Sequence, residues 1–157
     1  MAGVTVSREI RAPIQVVFEV FTDLEHLTEH IEGIIESEVL TEGPVGPGTR
    51  WTETRKVMGK PHTEEMAIGE FELNKRYTVT AENCGTAYLS TLTFEEIDAG
   101  TRVTFAFVGK PLTFFAKLLS PMFFLMGGSL QKMMAADLDD LTKVAEVRTI
   151  PGADASG

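Results

Sequence analysis

Residues 130–145 read LQKMMAADLDDLTKVA, and this stretch decides the architecture of the chain. Its apolar residues recur every three or four positions, which is the period of an amphipathic α-helix. The apolar stripe consists of Leu130, Met133, Met134, Leu138, Leu141, Val144 and Ala145. Only this segment predicts a helix long enough to lie across a sheet, so we expect it to cover the sheet that the preceding residues form.

Upstream of this helix, most of the chain has a hydrophobic period of two, which is typical of strands with one buried face. The first strand is expected over Val4–Ile10, where apolar and polar residues alternate. Six further strands are predicted at 34–42, 49–58, 61–73, 76–83, 86–97 and 101–109. Strands joined by short turns in this way imply an antiparallel meander.

Two short helices are predicted between the first and second strands. Ala12-Pro13 ends strand 1, and apolar residues then follow at helical spacing from Ile14 to Phe21. Asp23 is a candidate N-cap for a second helix over 24–30. The expected fold is therefore α+β, with a seven-stranded antiparallel sheet curled around the long C-terminal helix. A ligand would lie in the gap between sheet and helix.

Composition limits the classes of function. The net charge of −9 repels nucleic-acid phosphates, and no basic run offsets it, so no nucleic-acid partner is expected. The single cysteine, Cys84, cannot form an internal disulfide, and the N-terminus lacks the apolar core of a signal peptide. These features favour a cytoplasmic location. We expect residues 1–147 to form one domain and residues 148–157 to form a flexible tail.

Motifs for established chemistries are not found in the sequence. His26 and His30 share a helical spacing, but neither they nor His62 belong to a pattern of metal ligands, so no metal is expected. No histidine is placed near Cys84 to activate it. The sequence contains no nucleophile elbow, phosphate loop or dinucleotide fingerprint, and no cofactor is predicted.

A two-residue turn at Gly59-Lys60 would fix the register of the third and fourth strands. It would place Val57 opposite His62, Arg55 opposite Glu64, Glu53 opposite Met66 and Trp51 opposite Ile68. The apolar members indicate that this face points inward. The polar members would then lie at a cavity, or alternatively in a cluster at its rim that is exposed to water.

Asp137 interrupts the apolar stripe of the C-terminal helix, whereas Asp139 and Asp140 do not. A carboxylate at such a position needs a hydrogen-bond partner, a water-filled cavity or a raised pKa. One interpretation is a structural link to the backbone or to a strand side chain. The other is a role in binding a ligand or in catalysis.

The segment from Leu112 to Leu130 carries more apolar residues than a single buried helix face needs. Phe114, Phe115, Phe123 and Phe124 are not all expected to be buried within one subunit. Three interpretations stay open. Residues 112–128 form a lid over the cavity, a contact in a homodimer, or a surface that touches membranes or lipids.

The order of elements, with several local motifs, resembles the START-like, Bet v 1-like superfamily, which includes the polyketide cyclase/dehydrase and lipid-transport proteins. The resemblance covers residues 3–147. Its motifs are Ala12-Pro13 before Val17-Phe18, Asp23-Leu24-Glu25, the turn GPVGPGTRW at 43–51, Gly100-Thr101-Arg102-Val103, and Asp137-Leu138 followed by Leu141. The resemblance implies a helix-grip fold with a hydrophobic cavity, and it leaves the specific function open.

The sequence thus favours binding or transport of an apolar or aromatic small molecule. The alternative is a cyclase or dehydratase that acts on a polyketide-like substrate through one acid–base residue in the cavity. The expected cavity residues are Trp51, Arg55, Glu64, Met66, Ile68, Tyr77, Tyr88, Leu92, Phe105, Phe107, Met133, Asp137 and Leu141. Among them, Asp137 is expected to be the polar group that orients the ligand.

Overall fold

The structure is a computed structural model that describes residues 3–57, 59–83, 85–112 and 127–150. The strands are β1 (Gly3–Ile10), β2 (Glu36–Val39), β3 (Arg50–Val57), β4 (Lys60–Glu72), β5 (Arg76–Asn83), β6 (Thr86–Ile97) and β7 (Gly100–Pro111). The helices are α1 (Ile14–Phe21), α2 (Leu27–His30), which follows a 3-10 turn at Leu24–His26, and α3 (Gly127–Thr149).

The strands form one seven-stranded antiparallel sheet in the order β1-β7-β6-β5-β4-β3-β2. Each strand from β2 to β7 pairs with its neighbour in sequence, because short connections favour hairpins, and β1 joins the sheet beside β7. Helix α3 packs along β1 and α1. The sheet and its long C-terminal helix form the expected helix-grip fold.

Three local features differ from the sequence prediction. Strand β2 is limited to Glu36–Val39, and the preceding residues connect it to α2. Asp23 occupies an N-cap position, but its side chain caps nothing and instead contacts two histidines. Helix α3 continues to Thr149, and residues 151–157 of the expected tail lie outside the described residues.

The predicted register of β3 and β4 was wrong by two residues. Arg55 lies opposite His62, Glu53 opposite Glu64, and Trp51 opposite Met66. The turn lies between Val57 and Lys60, with Gly59 at φ +81°, so glycine occupies the second turn position rather than the first. A shift of two residues keeps every side chain on the same face, so the inward face was predicted correctly.

Gly100 fixes the junction between β7 and the segment that follows β1. Its φ of +145° is one that side chains with a β-carbon rarely adopt. A β-carbon at this position would also overlap the carbonyl oxygen of Ile10. The next residue, Thr101, is buried and donates a hydrogen bond of 2.8 Å to the carbonyl oxygen of Ala12.

The core lies where α1 and α3 cover the inner face of the sheet. Phe18 of α1 makes edge-to-face contacts with Phe71, Tyr77 and Phe94, at ring-centroid distances of 5.4, 5.9 and 5.0 Å. Four residues of the predicted α3 stripe are buried, namely Met134, Leu138, Leu141 and Ala145. Met133 is 39% exposed and therefore lies at the margin of the stripe.

Candidate functional site

The inner face of the sheet has a fully buried part and a half-buried part. The buried part includes Ile68, Tyr77, Leu92, Phe94 and Val103. The half-buried part continues along the same strands and the same face. It consists of Met66, Val79, Ala81, Tyr88, Ser90, Phe105 and Phe107. The fold thus leaves an apolar and largely aromatic surface incompletely covered by the described residues.

All eight apolar and aromatic sheet residues expected at the cavity lie on this inner face. The register pairs Tyr77 with Leu92, and Leu92 in turn with Phe105. Tyr88 stacks on Phe107 at a centroid distance of 5.5 Å. Trp51 lies opposite Met66, two residues from Ile68. Period-two alternation was therefore sufficient to assign the face of each residue.

Helix α3 is tied to both sides of the sheet by ion pairs. Arg8 of β1 contacts Asp139 at 2.8 Å, near one edge. Toward the other edge, Arg55 of β3 donates two hydrogen bonds to Asp137, one of 2.7 Å from Nη2 and one of 3.1 Å from Nη1. Asp137 therefore has the strand partner that one interpretation of the sequence required.

Arg55 is the centre of a polar cluster with Asp137 and Glu53. Its Nη2 lies 3.5 Å from Oε2 of Glu53, and the indole of Trp51 donates a 3.0 Å hydrogen bond to Oε1 of Glu53. The exposed fractions of the Arg55, Asp137 and Glu53 side chains are 18%, 16% and 11%. The guanidinium of Arg55 thus contacts two largely buried carboxylates.

Burial dominates the ionisation of this cluster. It raises the pKa of Glu53, an effect that Asp137 strengthens and that Arg55 and the Trp51 indole oppose. Burial likewise raises the pKa of Asp137 against the opposing effect of Arg55. For Arg55, burial acts to lower the pKa, but the two carboxylates outweigh it and the pKa is raised. The guanidinium therefore does not fully offset the burial of both acids.

A row of polar side chains crosses the sheet beside this cluster. The register places Ser37 opposite Glu53, and Glu53 opposite Glu64. Glu64 is half-buried and contacts His62, which is more exposed, at 3.3 Å. Glu53 and Arg55 are therefore largely buried, whereas His62 is about half exposed.

Gly33 allows α2 and the following segment to lie close to the Arg55–Asp137 pair. A β-carbon at this glycine would come within 3.1 Å of Nη1 of Arg55. The sequence placed Glu53 among the polar residues of the inward face but left it out of the list of cavity residues. Gly33 and Ser37 were not predicted for the site, because their proximity to it depends on tertiary contacts.

A second polar cluster joins α2 to the end of α3. The carboxylate of Asp23 contacts His26 Nδ1 at 2.7 Å and His30 Nε2 at 3.0 Å. Arg148 approaches the same carboxylate at 3.6 Å. Hydrogen bonding and the charge of Asp23 raise the pKa of His26. Although burial opposes it, contact with His26 and His30 lowers the pKa of Asp23.

Neither a metal centre nor a membrane span is found among the described residues. No three His, Cys, Asp or Glu side chains in this part of the chain are grouped so that they could hold a metal ion. Within the same residues, no helix is long and apolar enough to cross a bilayer. Cys84 and residues 113–126, the core of the predicted apolar segment, lie outside the described residues.

Comparison with known families gives one match over nearly the whole chain. The family described as "Polyketide cyclase / dehydrase and lipid transport" matches residues 1–146. No curated protein matches the sequence.

Solved structures with the same fold share little sequence with this chain. TTHA0849 from Thermus thermophilus is 23% identical with a TM-score of 0.69, and the alignment covers 92% of this chain and 99% of that one. SA2116 from Staphylococcus aureus, a protein of unknown function, is 15% identical with a TM-score of 0.71, over 94% and 95% of the two chains. Ara h 8.0201 is 16% identical with a TM-score of 0.65, over 92% and 97%. These likenesses establish the fold alone.

Proposed function

The chain belongs to the polyketide cyclase/dehydrase and lipid-transport family, and from this premise we propose that it binds an apolar small molecule between the inner face of its sheet and α3. The half-buried surface around Val79, Ser90 and Phe107 is the observation that carries the proposal. A continuous apolar surface that the described residues leave partly uncovered is where a hydrophobic ligand gains most from burial.

The ligand is expected to lie with its apolar part over β5–β7 and its polar end toward the Glu53–Arg55–Asp137 cluster. Flexible Met66 and the rings of Tyr88, Phe105 and Phe107 suit a pocket that adapts to the shape of its ligand. The same site would serve a protein that transports the molecule and one that only stores it. Homodimer or membrane contacts through residues 112–128 stay predictions.

The test is titration with N-phenyl-1-naphthylamine, a neutral dye that fluoresces in apolar surroundings. Trp51 is the only tryptophan and lies on the inner face, so energy transfer from its indole to the dye reports binding near the site. Saturable transfer is expected. The proposal fails if the dye produces no saturable signal.

Ser90→Phe and Thr93→Phe form a matched pair for this titration. Ser90 lies on the inner face of β6 between Val79 and Phe107, and a phenyl ring there would occupy the ligand space. Thr93 lies on the opposite face of the same strand and is exposed. Ser90→Phe should weaken dye binding by about tenfold or more, while Thr93→Phe should bind like the wild type.

Glu53 favours catalysis as a second candidate function. A carboxyl group that is largely buried and whose pKa is raised by burial is suited to general acid–base chemistry. The assay is incubation with a synthetic linear poly-β-ketone, followed by mass spectrometry for a dehydrated cyclic product. Glu53→Gln should abolish turnover and still bind the dye. Wild-type protein that binds the dye but leaves the polyketone unchanged would contradict catalysis of this kind.

A further inference from the structure

We propose that one end of the molecule docks on the surface of an anionic bilayer. This end, which we call the tip end, consists of Lys56, Val57 and Lys60 at the β3–β4 turn, Lys110 and Leu112 at the end of β7, and Lys132 and Met133 in the first two turns of α3. Docking here is separate from ligand binding, because it uses the outside of the molecule. It follows from how charge and exposed apolar side chains are distributed.

The topology brings these parts of the chain to the same end. In consecutive antiparallel hairpins, β3 and β7 end where β4 begins, and the start of β1 pairs with the end of β7. Helix α3 also begins at this end, because it runs along β1 in the same direction. Arg8 of β1 contacts Asp139 at 2.8 Å. Beyond β1, the backbone N–H of Arg11 donates to Glu146, which lies later in the helix.

Charge is distributed unevenly along the chain. The net charge is −9, yet the sequence between Asp98 and Asp137 contains no Asp or Glu. The basic residues of this stretch are Arg102, Lys110, Lys117 and Lys132, of which Lys117 lies outside the described residues. Such an asymmetry within an acidic chain indicates contact with an anionic surface through its basic part.

The lysines of the tip end are exposed and available to such a surface. None of the four takes part in an ion pair among the described residues, whereas the arginines of the sheet and of α3 contact carboxylates. The β3–β4 hairpin has no acidic residue between Glu53 and Glu64, and Glu82 is the acid nearest the end of β5. A flat anionic surface would therefore meet lysines before it meets most of the acids.

Acidic side chains are concentrated toward the opposite end of the molecule. They include Glu9, Glu70, Glu72, Glu95, Glu96, Asp98 and Glu146. Helix α3, with 23 residues, is about 35 Å long. This length is several times the Debye length of about 8 Å at physiological ionic strength. Repulsion between these acids and a bilayer at the tip end is therefore largely screened.

Exposed apolar side chains among the lysines favour a bilayer over a nucleic acid or an acidic protein. Val57 and Leu112 are each 47% exposed, and Met133 is 39% exposed. Each lies within two residues of one of the four lysines in the sequence. The apolar groups would enter the membrane interface while the long lysine side chains keep their ammonium groups among the lipid headgroups.

The half-buried part of the inner face lies toward the same end. Tyr88 follows the start of β6 by two residues, and Phe107 precedes the end of β7 by four. Docking of the tip end would therefore hold the proposed ligand site close to the bilayer, although docking itself requires no ligand.

The test is co-sedimentation of the full chain with vesicles, in the absence of any ligand. One set is phosphatidylcholine alone, and the other contains about one third phosphatidylserine. Binding to the anionic vesicles is expected, with a loss on addition of salt and little binding to the neutral set. Protein that stays in the supernatant with anionic vesicles, or that binds both sets equally, would overturn the inference.

Lys56→Glu/Lys60→Glu and Lys75→Glu/Lys143→Glu form a matched pair of variants with the same change in net charge. Lys75 lies in the β4–β5 turn at the opposite end, Lys143 lies in the second half of α3, and both are exposed. The tip variant should weaken binding to anionic vesicles by about tenfold or more, while the control should bind nearly as well as the wild type. Equal losses would show a response to net charge alone and would refute the tip end as the docking surface.

Lys110→Glu/Lys132→Glu repeats the test on the other side of the tip end. It should weaken binding as Lys56→Glu/Lys60→Glu does, and it keeps the test decisive if that variant does not fold. Wild-type binding by a folded Lys110→Glu/Lys132→Glu protein would contradict a surface that includes both sides.

Val57→Ser tests whether the partner is a bilayer. Leu73→Ser is its control, since Leu73 is 70% exposed in the β4–β5 turn at the opposite end. Val57→Ser should weaken vesicle binding by about threefold or more, because it removes an apolar group from the interface, and Leu73→Ser should not. If Val57→Ser binds as well as the wild type, the attraction is purely ionic, and a soluble polyanion replaces the bilayer as the partner.

Discussion

At the scale of single residues, Arg55 is the side chain on which the inner polar cluster depends. It links β3 to α3 through Asp137 and lies close to Glu53. Removal of one member of a buried ion pair leaves the other without compensation, which costs about 3–5 kcal/mol when both are fully buried. The side chains of Arg55 and Asp137 are 18% and 16% exposed, so the free-energy cost of breaking this pair is expected to be somewhat smaller.

Asp137→Leu is therefore expected to destabilise the protein by about 2–3 kcal/mol in chemical denaturation. The reason is the bidentate contact, since the guanidinium of Arg55 would lose both hydrogen bonds to Asp137. In the double variant Arg55→Met/Asp137→Leu no guanidinium is left without Asp137, so part of the stability should return, although Glu53 loses its contact with Arg55. Additive losses in the double variant would show that the two side chains do not act as a pair.

His26 provides a pH prediction at the same scale. The neighbouring Asp23 carboxylate raises the pKa of His26, so its contribution to stability is fully present below the pKa of the unfolded chain and is lost as pH rises through the folded value. The lowered pKa of Asp23 has the opposite dependence, with stability lost as pH falls through its folded value.

In an NMR titration, His26 should have a midpoint above 6.5, and Asp23→Asn should lower it. Glu29→Gln is the control, since the charge of Glu29 raises the pKa of His26 less than Asp23 does. An unchanged His26 midpoint in Asp23→Asn would contradict the contact.

At the scale of elements, the junction of β1, α1 and β7 depends on Gly100. Gly100→Ala should cost about 3 kcal/mol or more, because a β-carbon there meets backbone atoms as well as an unfavourable φ. Gly43 has a φ of +90°, but a β-carbon there would have no atom within 4 Å. Gly43→Ala therefore strains the backbone without a steric overlap and should lower the free energy of unfolding by about 1 kcal/mol. Equal thermal midpoints for the two variants would contradict this account of the junction.

The elements were largely predictable from the sequence, and their exact pairings were not. Alternation assigned the inner face of β4–β7 correctly, because that period depends only on the strand itself. The β3–β4 register depends on whether Gly59 is the first or the second turn residue, and both positions tolerate glycine. The contact of Asp137 with Arg55 required knowing where α3 crosses the sheet, which local sequence does not specify.

At the scale of the whole molecule, the proposed function depends on how far the inner face of the sheet is covered. Helices α1 and α3 bury the part of the sheet around Tyr77, Phe94 and Val103. The part around Met66, Val79 and Phe107 stays half-buried, with carboxylates along one side. This division between a closed core and an apolar surface that the described residues leave half-buried is the basis of the proposed binding site.

The most direct test of the central claim is to locate a bound apolar molecule by NMR. Intermolecular nuclear Overhauser effects between N-phenyl-1-naphthylamine and the methyl groups of the protein would show which face it touches. Contacts to Met66 and Val79 on the inner face are predicted, with none to Leu89 and Val108, which lie on the outer face. Contacts to Leu89 and Val108 without any to Met66 and Val79 would contradict an internal site.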